Sequence, residues 1–380
     1  MQKHLDEKRK QYEQNILVAL HRIGVLDNPS LSLFQALLSG VMYMLLSGKL
    51  ERCWQLNAAA SRICTALGGY SLITSFPTQS VESQEARYSV SLCYMFDKAL
   101  ASSMNRTTCL PEMDLNISEL MPSNPSKPYT SLVHVYLQLA EIQNEIIFNS
   151  RRRKDPKDIL ETVQAMQQNM WKIKENIREF RNISLHSQDS YLRGEWMGAD
   201  FAYHSVMTSI VRLHPYIAED GGLHQQLLGY ARTSLSCLHD MLAHGKTLDD
   251  MHNFSVSVSW LVLFYPLYPF FVLFTHAVSA SSVEDFQLLS KVTTDLEGFA
   301  GQNSALMGPQ HLESSKATSP RWTNPFPAVF EDGPGINWSA IGAHETATIP
   351  GFGTLDEHDL LAELYSAQPS IGWIDGGWPS

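Results

Sequence analysis

The five residues Asp249-Asp250-Met251-His252-Asn253 come nearest to a metal-binding motif in this 380-residue chain. Paired carboxylates on one helical face can hold magnesium against a diphosphate, the chemistry of helical terpene cyclases. The third acid expected a turn later is missing, and no Asn-Asp pair occurs to begin a second metal motif. His239 and His244 stand five apart rather than the four that puts two imidazoles on one face, and no His-Glu-x-x-His occurs, so they read as surface or helix-end histidines. Cys53, Cys64, Cys93, Cys109 and Cys237 contain no Cys-x-x-Cys pair, which excludes a clustered zinc site built from them. Gly-x-Ser-x-Gly, Walker and Gly-x-Gly-x-x-Gly signatures are absent as well. No catalytic, metal-binding or cofactor-binding residue is assigned, and the expectation is a protein that is not an enzyme and carries no cofactor. One compact basic run, Arg151-Arg152-Arg153-Lys154, reads as a nuclear import signal, a phosphate contact or a solvated loop.

The elements that would position any such residue are helical. Apolar spacings of three and four dominate from Leu17 to Phe299 and sustained alternation is scarce, so the body is expected to be all-α, with roughly ten or more helices. The spacing places helices over 5–24, 31–47, 50–68, 83–103, 128–150, 156–182, 191–213, 223–244, 254–265, 269–280 and 284–299. Asp155-Pro156 is a cap followed by proline at the first helical position, and Gly68-Gly69 is a stop. Ile159, Val163, Met166, Met170, Ile173, Ile177 and Phe180 form a heptad seam. The seam reads first as an internal bundle contact, with a homo- or heterodimer through the 159–180 helix as the alternative.

From Met251 to Val283 the chain has no Asp, Glu, Lys or Arg. The length is that of a membrane span, since about 20 apolar residues cross a bilayer. Pro266 and Pro269 remove backbone donors where lipid offers no replacement, and acidic residues flank both ends. Two buried helical pieces around a proline break, and no membrane, are therefore expected.

Composition limits the partners. With 44% apolar and 18% charged residues the chain can bury a large core, and a net charge of -11 gives no overall attraction to nucleic acid. The odd, scattered cysteines read as reduced thiols, and the charged N-terminus lacks the apolar core of a secretory signal. The expected organisation is a helical body over 1–300, a flexible linker over 301–353 rich in Gly, Pro, Ser and Asn, and a tail over 354–380. Within that largely disordered C-terminal tail, Leu355-Asp-Glu-His-Asp-Leu-Leu-Ala-Glu-Leu-Tyr365 mixes acids with apolar anchors, as an activation segment would, or forms a helix docked on its own body.

Three segments in order carry a family likeness. The first is Ser32-Leu-Phe-Gln-Ala-Leu-Leu-Ser-Gly40 with Cys53-Trp-Gln-Leu-Asn-Ala-Ala-Ala-Ser-Arg-Ile-Cys-Thr-Ala-Leu-Gly68. The second is Ala86-Arg-Tyr-Ser-Val-Ser-Leu-Cys-Tyr-Met-Phe-Asp-Lys98, followed by Asn105-Arg106, Leu110-Pro111 and Asp114-Leu-Asn116. The third is Phe264-Tyr-Pro-Leu-Tyr-Pro-Phe-Phe-Val-Leu-Phe274 with Glu284-Asp-Phe-Gln-Leu-Leu289. Together, over about residues 15 to 300, they resemble the fungal-specific transcription factor domain, the helical regulatory region of the binuclear zinc cluster family. Asn105 and Thr107 depart from the glycine and proline of the family's Gly-Arg-Pro loop, and Cys93 replaces a large aromatic. The resemblance implies a nuclear transcriptional regulator, an activator in its simplest form, controlling a metabolic pathway or gene cluster. Its partners would be the transcription machinery or another transcription factor. With no zinc cluster in these residues, direct DNA contact is not expected of them. A helical enzyme and a non-DNA-binding scaffold or co-regulator are the alternatives. Arg87, Asp97 and Arg106 are expected to form a structural charge network joining a buried helix to the loop after it.

Overall fold

The computed structural model describes residues 2–24, 27–47, 49–76, 80–110, 120, 127–150, 155–184, 189–248, 251–265 and 268–307. The import-run candidates Arg151 to Lys154, and the segments expected to act as linker and tail beyond 307, lie outside them. Twelve helices and no strand occur among the described residues: α1 (Gln2–His21), α2 (Leu31–Leu46), α3 (Leu50–Ala66), α4 (Tyr70–Thr74), α5 (Val81–Ser103), α6 (Pro128–Ser150), α7 (Pro156–Ser184), α8 (Ser190–Arg212), α9 (Gly221–Gly245), α10 (Met251–Phe264), α11 (Tyr268–Ser279) and α12 (Val283–Met307). The fold is all-α.

Helix ends follow side-chain chemistry. Asp189 Oδ1 accepts from the amides of Tyr191 and Leu192 at 3.0 and 3.1 Å to start α8, and Asp220 does the same for α9. Asp155 accepts from Lys157 N at 2.9 Å ahead of Pro156. Gly68 and Gly69 take φ of +94° and +57°, and their amides return to the carbonyls of Thr65 and Cys64, closing α3 in a left-handed turn. At the next residue, Tyr70, α4 begins, a five-residue helix too short for periodicity to reveal.

α8 is the axis of the body. It packs most extensively on α9 and also touches α6, α7, α10 and α11. Its small residues Gly194, Gly198, Ala199, Ala202 and Ser205 are buried, so neighbouring helices approach its backbone closely. A Cβ on Gly198 would stand 2.4 Å from Leu261 Cδ1. A second group, α2, α3 and α5, packs together and meets α10. One apolar core runs through both, from Phe34 to Leu296.

The heptad seam turns inward. Val163, Met166, Met170, Ile173, Ile177 and Phe180 are buried between α6 and α8, while Trp171 on the opposite face is 64% exposed. The charge-free stretch divides into α10 and α11, bent by 69° across the proline break. No single described helix is long and apolar enough to cross a membrane, although the bent pair would pass by length and composition. Leu261, Phe264, Tyr265, Phe270 and Leu273 in it are buried.

Candidate functional site

Asp97 is the centre of the α5 tether. It is 3% exposed; its oxygens accept from the amides of Cys109 at 2.7 Å and Leu110 at 3.2 Å, and from Lys98 Nζ at 3.1 Å. Lys98, 1% exposed, also stands over the Tyr94 ring. A buried acid beside a buried base is retained because removing either strands the other's charge. Arg106 turns elsewhere. Its guanidinium forms two bonds of 2.9 and 2.8 Å to Glu51 on α3 and lies 4.5 Å from the Trp54 ring centroid. Arg87 donates to the Leu120 carbonyl at 3.4 Å. Asp97 and Arg106 therefore serve successive tethers on one loop, and the base that Asp97 holds directly is Lys98.

The three segments of the family likeness meet around α5. Arg106 joins the loop to α3; Phe96 packs edge-on against Phe264 of α10 with centroids 5.4 Å apart; and Ser103 Oγ donates to the Leu263 carbonyl. Gln143 of α6 donates to the Phe264 carbonyl at 2.9 Å, satisfying an acceptor in the last turn of α10.

A cysteine and a histidine share one carboxylate neighbour on α8. Asp200 on α8 pairs with Arg181 at 2.6 Å and acts electrostatically on both His204, one turn along, and Cys237 on α9. A thiolate beside an imidazolium would be reactive, but burial drives both groups the other way. The thiol of Cys237 is pushed up to about 12 and His204 down to about 4. Cys53 and Cys64 are likewise raised, to about 12 and about 11, by burial. These thiols stay protonated and pack as small apolar groups.

Glu195 is the acid that sequence reasoning missed. It is 5% exposed on α8, its Oε1 has no hydrogen-bond partner, and burial raises its pKa against hydrogen bonds from Ser257 and Tyr191. Tyr191 and Ser257 bond one another at 3.0 Å, and the buried Tyr136 hydroxyl lies 3.5 Å from the Glu195 carbonyl. The signal was an acid in line with Leu192, Ala199 and Ala202 on the apolar face.

Two further acids, Asp285 and Asp295 on α12, were also missed. Arg232 Nε and Nη2 reach Asp285 at 2.7 and 2.8 Å, and His276 Nδ1 reaches it at 2.7 Å. His239 Nδ1 and Lys246 Nζ reach Asp295 at 2.6 and 2.5 Å. His239 thus bonds a carboxylate of α12 rather than standing as a plain surface residue, whereas His244 bonds the Ser190 carbonyl at a helix end. Among the described residues no group of three or more His, Cys, Asp or Glu could hold a metal ion. The side chains of Asp249 to Asn253 lie outside them.

Comparison with protein families, with curated proteins and with solved structures finds no match for this chain.

Proposed function

We propose that this chain is a transcriptional regulator whose helical body receives a partner or small-molecule signal and relays it to the transcription machinery or to another transcription factor in the nucleus. The observation that carries the reading is the convergence of the three family-like segments on α5. Residues far apart in sequence, Glu51, Trp54, Phe96, Arg106 and Phe264, form one junction there. Asn105 adds to it: the residue standing where the family pattern has glycine adopts φ +49°, a conformation glycine takes freely and asparagine tolerates. An enzyme built on Cys237 and its neighbour Asp200 is poorly served, since burial holds that thiol protonated. DNA contact in this reading comes from outside these 380 residues, which hold no cysteine cluster.

The test is a tethering assay. The chain, with and without 331–380, is fused to a heterologous DNA-binding domain and a reporter is read. Activity or repression that depends on the fused chain is expected, with activation lost on deleting 331–380. A reporter indifferent to both forms overturns the proposal.

A further inference from the structure

Arg232 and His239 on α9 and Lys246 at its C-cap recur at intervals of seven, which keeps them in one stripe along the helix. Against this stripe α12 lays Asp285, 1% exposed, and Asp295, 8% exposed. Asp285 meets Arg232, and Asp295 meets His239 and Lys246, so α12 runs parallel to α9. Asp285 also takes His276 of α11, making one carboxylate the node of three helices. Among the described side chains of α12, those of 283–297, the buried apolar ones are Leu289, Val292 and Leu296, with Leu288 partly buried. Val283 and Phe286 at its start are left exposed, at 66% and 37%. α12 packs chiefly on α9 and α11, whereas α8 is enclosed by five helices.

We infer that α12 is a releasable strap, closed by charge latches at its first turn and at its middle and able to leave α9 while the rest of the body stays folded. Segments with few buried apolar contacts open locally at a lower cost than the core, and ion pairs at partly exposed cations are weakened by salt. The Arg232 side chain is 39% exposed and the Lys246 side chain 48%, so both latches are open to that screening from the cationic side. Opening would free the α9 stripe and move the point from which everything beyond Met307 hangs.

Hydrogen exchange on the full chain tests this. In the double variant Asp285→Asn, Asp295→Asn, amides of 283–297 are expected to exchange at least about ten-fold faster, while those of α8 and α9 keep their rates. Molar salt is expected to speed the same amides in the unmodified chain and to leave the double variant unchanged. Should the double variant fail to fold, Asp295→Asn alone is expected to raise exchange within 290–297 only. Rates that rise together in α8, α9 and α12, or α12 rates that ignore both the substitutions and salt, overturn the inference.

Discussion

Single residues show how a buried charge is kept. Replacing Asp97 by alanine removes the acceptor of two loop amides and leaves Lys98 charged in the core, a loss of about 3 to 5 kcal/mol measurable by urea unfolding. Asn105→Val should cost about 1 to 2 kcal/mol because a β-branched residue resists φ +49°, while Asn105→Gly should be close to neutral. Glu195 supplies a pH signature. Its folded pKa is raised, so the folded state holds the proton more tightly than the unfolded chain, and stability falls as pH rises from the ordinary carboxylate value through the raised one. Asp285 and Asp295 behave oppositely. At Asp285 the Arg232 bond outweighs desolvation and lowers the pKa; at Asp295 desolvation is outweighed by Lys246 and His239 together. Their contribution is present above the ordinary carboxylate value and is lost as pH falls through the lowered one. Unfolding midpoints measured across pH should therefore lose their decline above about pH 4 in Glu195→Gln and keep their acid limb.

At the scale of elements, the packing of α7 and α8 is the quantity to test. Met170 is fully buried, so Met170→Ala should cost about 2 to 5 kcal/mol, and a charge at Met166 should unfold the body rather than merely abolish an association. Retained folding with lost self-association, seen by sedimentation, would mean that the seam serves a partner. Gly198→Ala drives a methyl against Leu261, itself 0% exposed, and should cost about 1 to 3 kcal/mol by overpacking. Gly40→Ala meets Leu20 Cδ2 at 2.7 Å, but Leu20 is only half-buried and can turn aside, so thermal shifts of the two variants should differ clearly. The heptad spacing made α7 legible as a seam, and the prolines made the α10 to α11 break legible, because periodicity and backbone donors are local properties. Which helices would fill the seam was not local, and the structure supplies α6 and α8.

For the whole molecule, helix content, the proline break and the inward apolar faces were all determined by sequence: 3.6-residue periodicity, caps and breakers act within a few residues. Asp97 was legible as a buried acid serving the following loop, because a resemblance supplied the neighbourhood that spacing could not. The base it holds directly, the adjacent Lys98, was not among the residues named for that network. Glu195, Asp285 and Asp295 gave only the sign of an acid on an apolar stripe. Tertiary structure decided what that sign meant, since a carboxylate's fate depends on which donors reach it through space. Glu195 meets tyrosine and serine hydroxyls with one oxygen left over, while Asp285 and Asp295 meet arginine, lysine and histidine brought from 49 to 56 residues away or, for His276, across a single turn of chain. Burial without a cation raises the pKa, and burial with one lowers it; the choice between them rests on partners that no local pattern names.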